Sequence, residues 1–141
     1  FGVQSSAAAE LIGLNITGGY TRYDGGGLYV SSGGVANLDG CNVYSNEDRN
    51  GAGLYVNGVA NLNGCQVYEN VAQNGQYGFG GGLFVNSGGT ANLEGCNVFS
   101  NGGLHQVWSW ALCLLWWRGQ SRRLQCVLER SSVWRRALRP R

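Results

Sequence analysis

The chain has 141 residues, including 25 Gly and a single Pro, and its formal net charge is +2. That charge is unevenly divided, because residues 1–103 carry two Arg and seven acidic residues, whereas residues 104–141 carry eight Arg and one acidic residue. No stretch of about 18 apolar residues occurs, so no membrane-spanning helix is predicted. The sequence begins with Phe1 and shows no secretory signal, and we therefore expect a truncated amino-terminal end.

Residues 1–24 are predicted to form a partial first coil of a repeat architecture. Their second half, "LIGLNITGGYTRYD" from Leu11 to Asp24, looks like the end of a repeat that precedes the complete ones. It contains the triplet Asn-Ile-Thr at Asn15, which is a sequon for N-glycosylation if the chain is secreted. Asn15 is therefore a candidate glycosylation site.

Three internal repeats follow, and we place them at 25–50, 51–79 and 80–103. The segment "GGGLYVSSGGVANLDGCNVYSN" (Gly25 to Asn46) recurs as "GAGLYVNGVANLNGCQVYEN" (Gly51 to Asn70) and as "GGGLFVNSGGTANLEGCNVFSN" (Gly80 to Asn101). The period is 26 residues between the first two copies and 29 residues between the second and the third. Self-similarity at such a period is typical of solenoids.

Each repeat contains three short runs of β-forming residues, "GLYV", "VANL" and "CNVY" in the first copy, separated by turn-forming residues. No run is long enough for a helix. Stacking of each run about 4.8 Å from its copy predicts an all-β fold, a parallel β-helix of about three complete coils. Side-chain alternation assigns to the interior Leu28, Val30, Leu38, Cys41 and Val43, the equivalent Leu54, Val56, Leu62, Cys65 and Val67, and Leu83, Val85, Leu93, Cys96 and Val98.

The repeats resemble those of a known group of proteins. "GGGLYV" or "GGGLFV" after "VYSN" or "VFSN" resembles the paired Gly-Gly-Ala-Ile and Phe-x-x-Asn repeats of polymorphic outer membrane proteins and, more broadly, the right-handed β-helix proteins of the pectin-lyase-like group. Here Leu replaces Ile, and Val or Tyr stands near the Phe position. The resemblance covers residues 11–101 and implies a right-handed solenoid, but no particular activity, because this fold hosts lyases, epimerases, adhesins and inert stalks.

Stacking converts each repeated residue into a ladder along the solenoid axis. The Cys ladder is Cys41, Cys65 and Cys96. Neighbouring rungs lie within disulfide range, but regularly stacked inward thiols favour a role as small apolar core residues. Two Asn ladders are predicted at bends, with structural hydrogen bonds along the axis: Asn37, Asn61 and Asn92, and Asn46, Asn70 and Asn101. Because the repeats contain neither a Cys-x-x-Cys pattern nor a His, no metal and no cofactor are expected.

The acidic residues do not suggest a catalytic pair. One row contains Asp39, then Asn63, then Glu94, each just before a Gly in a tight bend. The other acids, Asp24, Glu47, Asp48 and Glu69, are interpreted as solvated turn residues. Acid-base cleavage of a polysaccharide needs two convergent groups with separated pKa values. Since Asn63 interrupts the acidic row, no catalytic residue is predicted.

Outward aromatic residues are the sharper candidate for binding. Tyr29, Tyr55 and Phe84 form one ladder, and a second one contains Tyr44, Tyr68 and Phe99. Exposed rings at strand spacing could stack on sugar rings. The alternative is that cross-strand aromatic pairs only stabilise the sheet. We single out Tyr29, Tyr55 and Phe84 as candidate glycan-stacking residues.

Residues 104–141 have a different character, since they hold all five Trp and the single His. Taken as protein, their Trp- and Arg-rich composition is typical of an interfacial membrane arm or a nucleic-acid-binding arm. However, Trp117 to Glu129 can be written in codons that, read from the second base, give "GVANLDGCNVYSN", identical to Gly34 to Asn46. Trp110 to Trp116 likewise gives Gly27 to Gly33. We interpret residues 104–141 as further repeats translated one base out of frame, and therefore as a non-native tail. Codons at the locus that are incompatible with the shifted reading would refute this interpretation.

The sequence favours a non-catalytic, secreted or cell-surface β-helix module with a structural, adhesive or glycan-contacting role. The expected partners are polysaccharides or other cell-surface components, with no nucleic acid and no membrane insertion by this segment. The alternative is a fragment of a polysaccharide lyase or epimerase whose catalytic coils lie outside this chain. Carboxylates beside Lys, Arg or His in flanking coils would favour the enzyme.

Overall fold

The computed structural model of the chain describes residues 1–73, 78–103 and 123–127. All secondary structure within these ranges is β, as predicted. Predictions for 104–122 and 128–141 lie outside the described residues. The strands are, in chain order, β1 (Gly2–Val3), β2 (Ala8–Ile12), β3 (Asn15–Thr17), β4 (Leu28–Val30), β5 (Val35–Asp39), β6 (Asn42–Tyr44), β7 (Glu47–Asp48), β8 (Leu54–Val56), β9 (Val59–Asn63), β10 (Gln66–Tyr68), β11 (Val71–Ala72), β12 (Leu83–Val85), β13 (Thr90–Glu94), β14 (Asn97–Phe99), β15 (Gly102–Gly103) and β16 (Arg123–Val127).

These strands form four sheets, to which successive coils contribute one strand each. The first sheet has the order β1-β4-β8-β12, the second β2-β5-β9-β13-β16, the third β3-β6-β10-β14 and the fourth β7-β11-β15. Strands of neighbouring coils pair in parallel, whereas β16 pairs antiparallel with β13. The prediction of a parallel β-helix with about three complete coils after an amino-terminal one is therefore confirmed.

The register follows the sequence repeat. Leu54 pairs with Leu28 on one side and with Leu83 on the other, so the longer period between the second and third copies does not shift the ladder. The additional residues lie between β11 and β12, outside the paired strands. Each coil begins at a Gly with positive φ, a backbone conformation that side chains with a Cβ rarely adopt: Gly25 (75°), Gly51 (59°) and Gly80 (62°).

Two features go beyond the predicted architecture. Each coil has a fourth strand, β7, β11 or β15, which the three-run interpretation missed because two residues are too short to show alternation. The amino-terminal coil is also more complete than predicted, since β1, β2 and β3 all pair with the next coil. A single bridge between Tyr20 and Glu47 continues it onto the fourth side.

Inward side chains form one continuous core, as the alternation predicts. The fully buried residues include Leu28, Val30, Ala36, Leu38, Val43, Leu54, Val56, Ala60, Val67 and Ala91. Val98 was also predicted inward but is 44% exposed, because β14 is the outermost strand of its sheet. Leu83 and Cys96 are partly buried and pack against the core.

The interpretation of Asp48 as a solvated turn acid is wrong. Its side chain is 1% exposed, because it occupies the inward position of β7 that Ala72 fills on β11. The hydroxyl of Thr21 donates a hydrogen bond to its Oδ2 over 2.6 Å, and the backbone N–H of Arg49 donates to its Oδ1 over 2.5 Å. A buried carboxylate requires such partners, and a pattern of turn residues does not reveal them.

Candidate functional site: a polar groove on the second sheet

The second sheet carries the longest paired strands, β5, β9 and β13, each of five residues. Alternation over five residues turns the second and fourth side chains, Ala36 and Leu38 in β5, into the core. The first, third and fifth residues point away from the core. The Gly after each strand, such as Gly40 with a φ of 58°, then reverses the chain toward the third sheet.

Two polar rows run along the outer face of this sheet. One row consists of Glu10, Asn37, Asn61 and Asn92, and the other contains Asp39, Asn63 and Glu94. We call this surface the polar groove. It borders a cavity of about 450 Å³, lined by these seven residues together with Leu38, Leu62 and Leu93.

The amides of the polar groove form a directional chain of hydrogen bonds. Asn92 Nδ2 donates to Asn61 Oδ1, and Asn61 Nδ2 donates to Asn37 Oδ1, both over 2.8 Å. In the second row Asn63 Nδ2 donates to Asp39 Oδ1 over 3.0 Å. An amide offers two N–H donors and two oxygen lone pairs. Each ladder bond uses only part of this capacity, so the groove can also bind the hydroxyl or amide groups of a ligand.

The charge of the polar groove is negative. Glu10, Asp39 and Glu94 contribute three carboxylates, and Arg123 of β16 stands opposite Glu94 of β13 in the strand register. Asp39 and Glu94 are separated by a whole coil carrying Asn63, or two strand spacings of roughly 4.8 Å each. The groove therefore favours neutral or cationic ligands over polyanions.

The groove amides do not lie where the preference of Asn for turns predicts them. Asn37, Asn61 and Asn92 lie in the middle of strands, not at bends as predicted. The signal for the correct assignment was present, since an inward Leu38 requires an outward Asn37 one residue earlier. Asp39, Asn63 and Glu94 do end their strands just before a Gly, as predicted.

The candidate glycan-stacking residues are less available than predicted. Tyr55 is only 7% exposed, although it points away from the core cluster. Its ring is stacked between those of Tyr29, at 5.3 Å and 11°, and Phe84, at 5.2 Å and 30°. Both faces of Tyr55 are therefore occupied by neighbouring rings, and a sugar cannot stack on it.

The second aromatic ladder is built in the same way. Tyr68 stacks between Tyr44 at 5.0 Å and Phe99 at 5.2 Å, with interplanar angles of 5° or less. Rings stacked along the solenoid axis present their edges, not their faces, to the side of the molecule. Both ladders thus match the alternative of cross-strand pairs that stabilise the sheet.

Burial of Tyr55 gives a measurable dependence of stability on pH. Burial, with a smaller effect of the nearby Asp24 carboxyl, raises the pKa of Tyr55 from 10.0 to about 12. At higher pH the unfolded state loses this proton before the folded state does, so the folded state is penalised. We expect a stability contribution that is complete below pH 10 and is lost as the pH rises through 12.

Urea unfolding at pH 8 and pH 11 tests this prediction. Tyr55→Phe should lose less stability than the unmodified chain between the two pH values, because it has no phenol to titrate. Tyr23→Phe is the matched control, since Tyr23 is 81% exposed. An equal loss in Tyr55→Phe and the unmodified chain would contradict the prediction.

The second Asn ladder lies inside the solenoid. Asn46 and Asn70 are buried. Each donates through Nδ2 to a backbone carbonyl oxygen of the preceding coil: Asn46 donates to Ile16 O, and Asn70 donates to Val43 O. Asn46 Nδ2 also donates to Asn70 Oδ1 over 2.9 Å, and Asn70 Nδ2 donates to the Oδ1 of Asn101 over the same distance. The residue before each Asn has positive φ and forms the bend: Ser45 (50°), Glu69 (53°) and Ser100 (52°). These amides stabilise the bends and face no ligand.

The Cys ladder, like the second Asn ladder, faces the interior of the solenoid. Cys41, Cys65 and Cys96 are free thiols; the first two are buried and Cys96 is partly exposed. The thiols of Cys41 and Cys65 donate to backbone oxygens of the preceding coil, at 3.2 and 3.5 Å. Within the described ranges, no three His, Cys, Asp or Glu side chains are grouped so that they could hold a metal ion.

Asn15 lies at the start of β3 with its side chain exposed. Its Oδ1 accepts a hydrogen bond from Asn42 Nδ2 over 2.9 Å. A glycan would be attached to the amide nitrogen of Asn15, so this bond is compatible with glycosylation. Ile16, the middle residue of the sequon, is buried in the core.

Comparison with known proteins gives one match. The family described as right handed beta helix region matches residues 1–112. No curated protein and no solved structure matches the chain. In the part of the chain that the structure describes, no helix is long and apolar enough to cross a membrane.

Proposed function

The chain belongs to the right-handed β-helix family, and on that basis we propose that it is a non-catalytic module, secreted or at the cell surface, that contacts glycans through the polar groove. The observation that carries the proposal is the pair of polar rows on the outer face of the second sheet. Side chains of the type found there, amides and carboxylates, are suited to hydrogen-bonding with sugar hydroxyls.

The geometry of the polar groove supports a linear ligand. Equivalent amides of Asn37, Asn61 and Asn92 recur once per coil, in register and in the same orientation. A chain molecule with repeating hydroxyl groups can follow such a row along the axis and make the same contact at each step. Several weak contacts then add up over the length of the groove.

The charge of the polar groove supports a particular class of glycan. The three carboxylates of the groove disfavour polyuronides, whose own carboxylates would be repelled. A neutral polysaccharide, or one that carries amino groups, meets no such repulsion. This distinguishes the proposed module from an enzyme or binder of acidic polysaccharides.

We also propose that the described coils carry no chemistry of their own. The groove carboxylates Asp39 and Glu94 lie two coils apart, with Asn63 between them, so they do not form a convergent acid-base pair. Lyases and epimerases need a base together with a group that stabilises the developing charge. A fragment of an enzyme whose catalytic coils lie outside this chain stays the alternative.

An extracellular location is part of the same proposal. The resemblance of the repeats to polymorphic outer membrane proteins favours the cell surface, and in a secreted chain the exposed side chain of Asn15 would be accessible for glycosylation. Free thiols at Cys41 and Cys65 do not conflict with secretion, because both are buried. Digestion of the secreted chain with a glycosidase that removes N-linked glycans, compared with Asn15→Gln, tests the location directly.

Binding to defined polysaccharides tests the glycan role. We expect the chain to sediment with insoluble β-glucan or chitosan and to show no retardation in gels that contain alginate, a polyuronide. The double variant Asn61→Ala and Asn92→Ala should weaken binding about tenfold, since two lost amide contacts of about 0.7 kcal/mol each correspond to one decade in affinity.

Gln66→Ala is the matched control for this experiment. Gln66 is an exposed amide on β10, in the same coil as Asn61 but on the third sheet. Its replacement should leave binding unchanged. Retardation by alginate, or full binding by the double variant, would refute the proposed ligand class or the proposed site, respectively.

A further inference from the structure

Cys65 and Cys96 occupy equivalent positions in adjacent coils. Their backbones are held in register by hydrogen bonds on either side, from Gly64 N to Glu94 O over 2.8 Å and from Asn97 N to Cys65 O over 2.9 Å. Parallel strands lie roughly 4.8 Å apart. Disulfides join Cα atoms that are about 4.4–6.8 Å apart, so the backbone already has a separation that a disulfide accepts.

The two thiols differ in environment. Cys65 is buried, whereas Cys96 is partly exposed at the outer end of the described Cys ladder. The backbone N–H of Cys65 donates to Cys96 Sγ over 3.4 Å. A protonated Cys96 can also donate to Leu62 O over 3.4 Å. As a thiolate, Cys96 cannot donate to Leu62 O, but it still accepts the hydrogen bond from the backbone N–H of Cys65.

The pairing of the two residues makes Cys96 the more acidic of the two. Hydrogen bonding with Cys65, whose backbone N–H donates to Cys96 Sγ, outweighs partial burial and lowers the pKa of Cys96 to about 6. The interaction with Cys96, together with burial, raises the pKa of Cys65. Near neutral pH Cys96 is therefore the nucleophile of the pair, because the thiolate is the reactive form.

We propose that Cys96 and Cys65 form a redox-active dithiol, in which Cys96 is the thiol that attacks a low-molecular-weight disulfide and Cys65 is the resolving thiol. This inference does not depend on the proposed glycan role. Its ligand class is a small disulfide such as glutathione disulfide, which reaches Cys96 from the solvent without entering the core.

The reaction has two steps. The Cys96 thiolate attacks one sulfur of glutathione disulfide, forming a mixed disulfide and releasing one glutathione thiolate. Cys65 then loses its proton to the released thiolate and attacks Cys96 Sγ, which forms the Cys65–Cys96 disulfide and releases the second glutathione as a thiolate that takes up a proton from water. Two protein thiols are thereby oxidised and one glutathione disulfide is reduced to two glutathione molecules.

Cys41 is a neighbour of Cys65 on its other side and serves as the internal comparison. It is fully buried, so an external disulfide cannot reach it as it reaches Cys96. The ladder thus offers one accessible thiol with one adjacent resolving thiol. Oxidation should join the second and third complete coils and leave Cys41 reduced.

Peptide mapping of the full chain tests the proposal. The reduced protein is incubated with glutathione disulfide at pH 7, free thiols are blocked with iodoacetamide, and the chain is digested with chymotrypsin under non-reducing conditions. Cleavage after Tyr55, Tyr68, Phe84 and Phe99 places Cys65 and Cys96 on separate peptides. We expect these two peptides to be linked, and the alkylation rate of Cys96 to show a midpoint near pH 6.

Serine variants separate the two roles. Cys65→Ser should accumulate the mixed disulfide of Cys96 with glutathione, Cys96→Ser should form neither product, and Cys41→Ser should behave like the unmodified chain. Circular dichroism of each variant establishes that the β-structure is retained. Linkage of Cys41 to Cys65, exclusive oxidation of Cys113 or Cys126, or no linkage in the folded protein would each overturn the proposal.

Discussion

Replacement of Asn70 by Ala is expected to lower the free energy of unfolding by about 3–5 kcal/mol. The side chain is fully buried and connects three coils, because it donates to Val43 O and to Asn101 Oδ1 and accepts from both nitrogens of Asn46. Ala removes these partners and leaves buried polar groups unsatisfied, at about 1–3 kcal/mol each. Urea unfolding at neutral pH measures the loss.

Asn61→Ala is the matched control for this experiment. Asn61 belongs to the same coil and also bonds to amides of both neighbouring coils, but water can reach it on the outer face of the second sheet. Its replacement should lower the free energy of unfolding by less than about 1 kcal/mol, as is usual for surface positions. Equal losses at Asn70 and Asn61 would show that burial of the inner ladder is not what makes it important.

Gly53→Ala is expected to lower the free energy of unfolding by about 3 kcal/mol, at the upper end of the range for overpacking. A Cβ on Gly53 would lie 2.4 Å from the carbonyl oxygen of Gly82 in the next coil. Neither backbone can move freely, because Gly53 N donates to Gly81 O and Gly53 O accepts from Leu28 N, both over 2.9 Å. The coils must therefore separate locally, and calorimetric or urea unfolding detects the loss.

Gly64→Ala isolates close packing from backbone strain. A Cβ on Gly64 would meet no atom within 4 Å, but the residue has a φ of 59°. The left-handed conformation costs roughly 1–2 kcal/mol for a residue with a Cβ. A larger loss at Gly64 than at Gly53 would contradict the view that the approach of successive coils decides which Gly residues are essential.

The fold could be predicted because the repeat constrains every position several times. Leu28 alone could belong to many structures, but its copies at Leu54 and Leu83, each preceded by Gly and followed by an outward aromatic residue, leave a stacked β-architecture as the simple solution. The same redundancy fixed the register, because a shift by one residue would move every apolar side chain to the outside.

The candidate site was harder to predict, because it depends on what surrounds each outward side chain. Side-chain alternation correctly predicts that Tyr55 points away from the core. It does not show that the rings of Tyr29 and Phe84 cover both faces of the Tyr55 ring. Asp48 was misassigned because the equivalent positions of the next two coils hold Ala72 and Gly103, so its residue type does not recur in the repeat. Asn37 has a residue type that is common in turns, but its position one residue before the inward Leu38 places it on a strand with its side chain outward.

The inner Asn ladder has a direction, and that direction makes the two ends of the solenoid chemically different. Asn46 N and Nδ2 both donate to an oxygen that belongs to Asn70, one coil later in the chain. A coil at the carboxyl-terminal end of the stack therefore leaves these donors to water until a following coil supplies the acceptor. The two ends of the solenoid thus differ chemically at this bend, because a coil added at the amino-terminal end supplies a backbone acceptor instead, as Ile16 O does for Asn46 Nδ2.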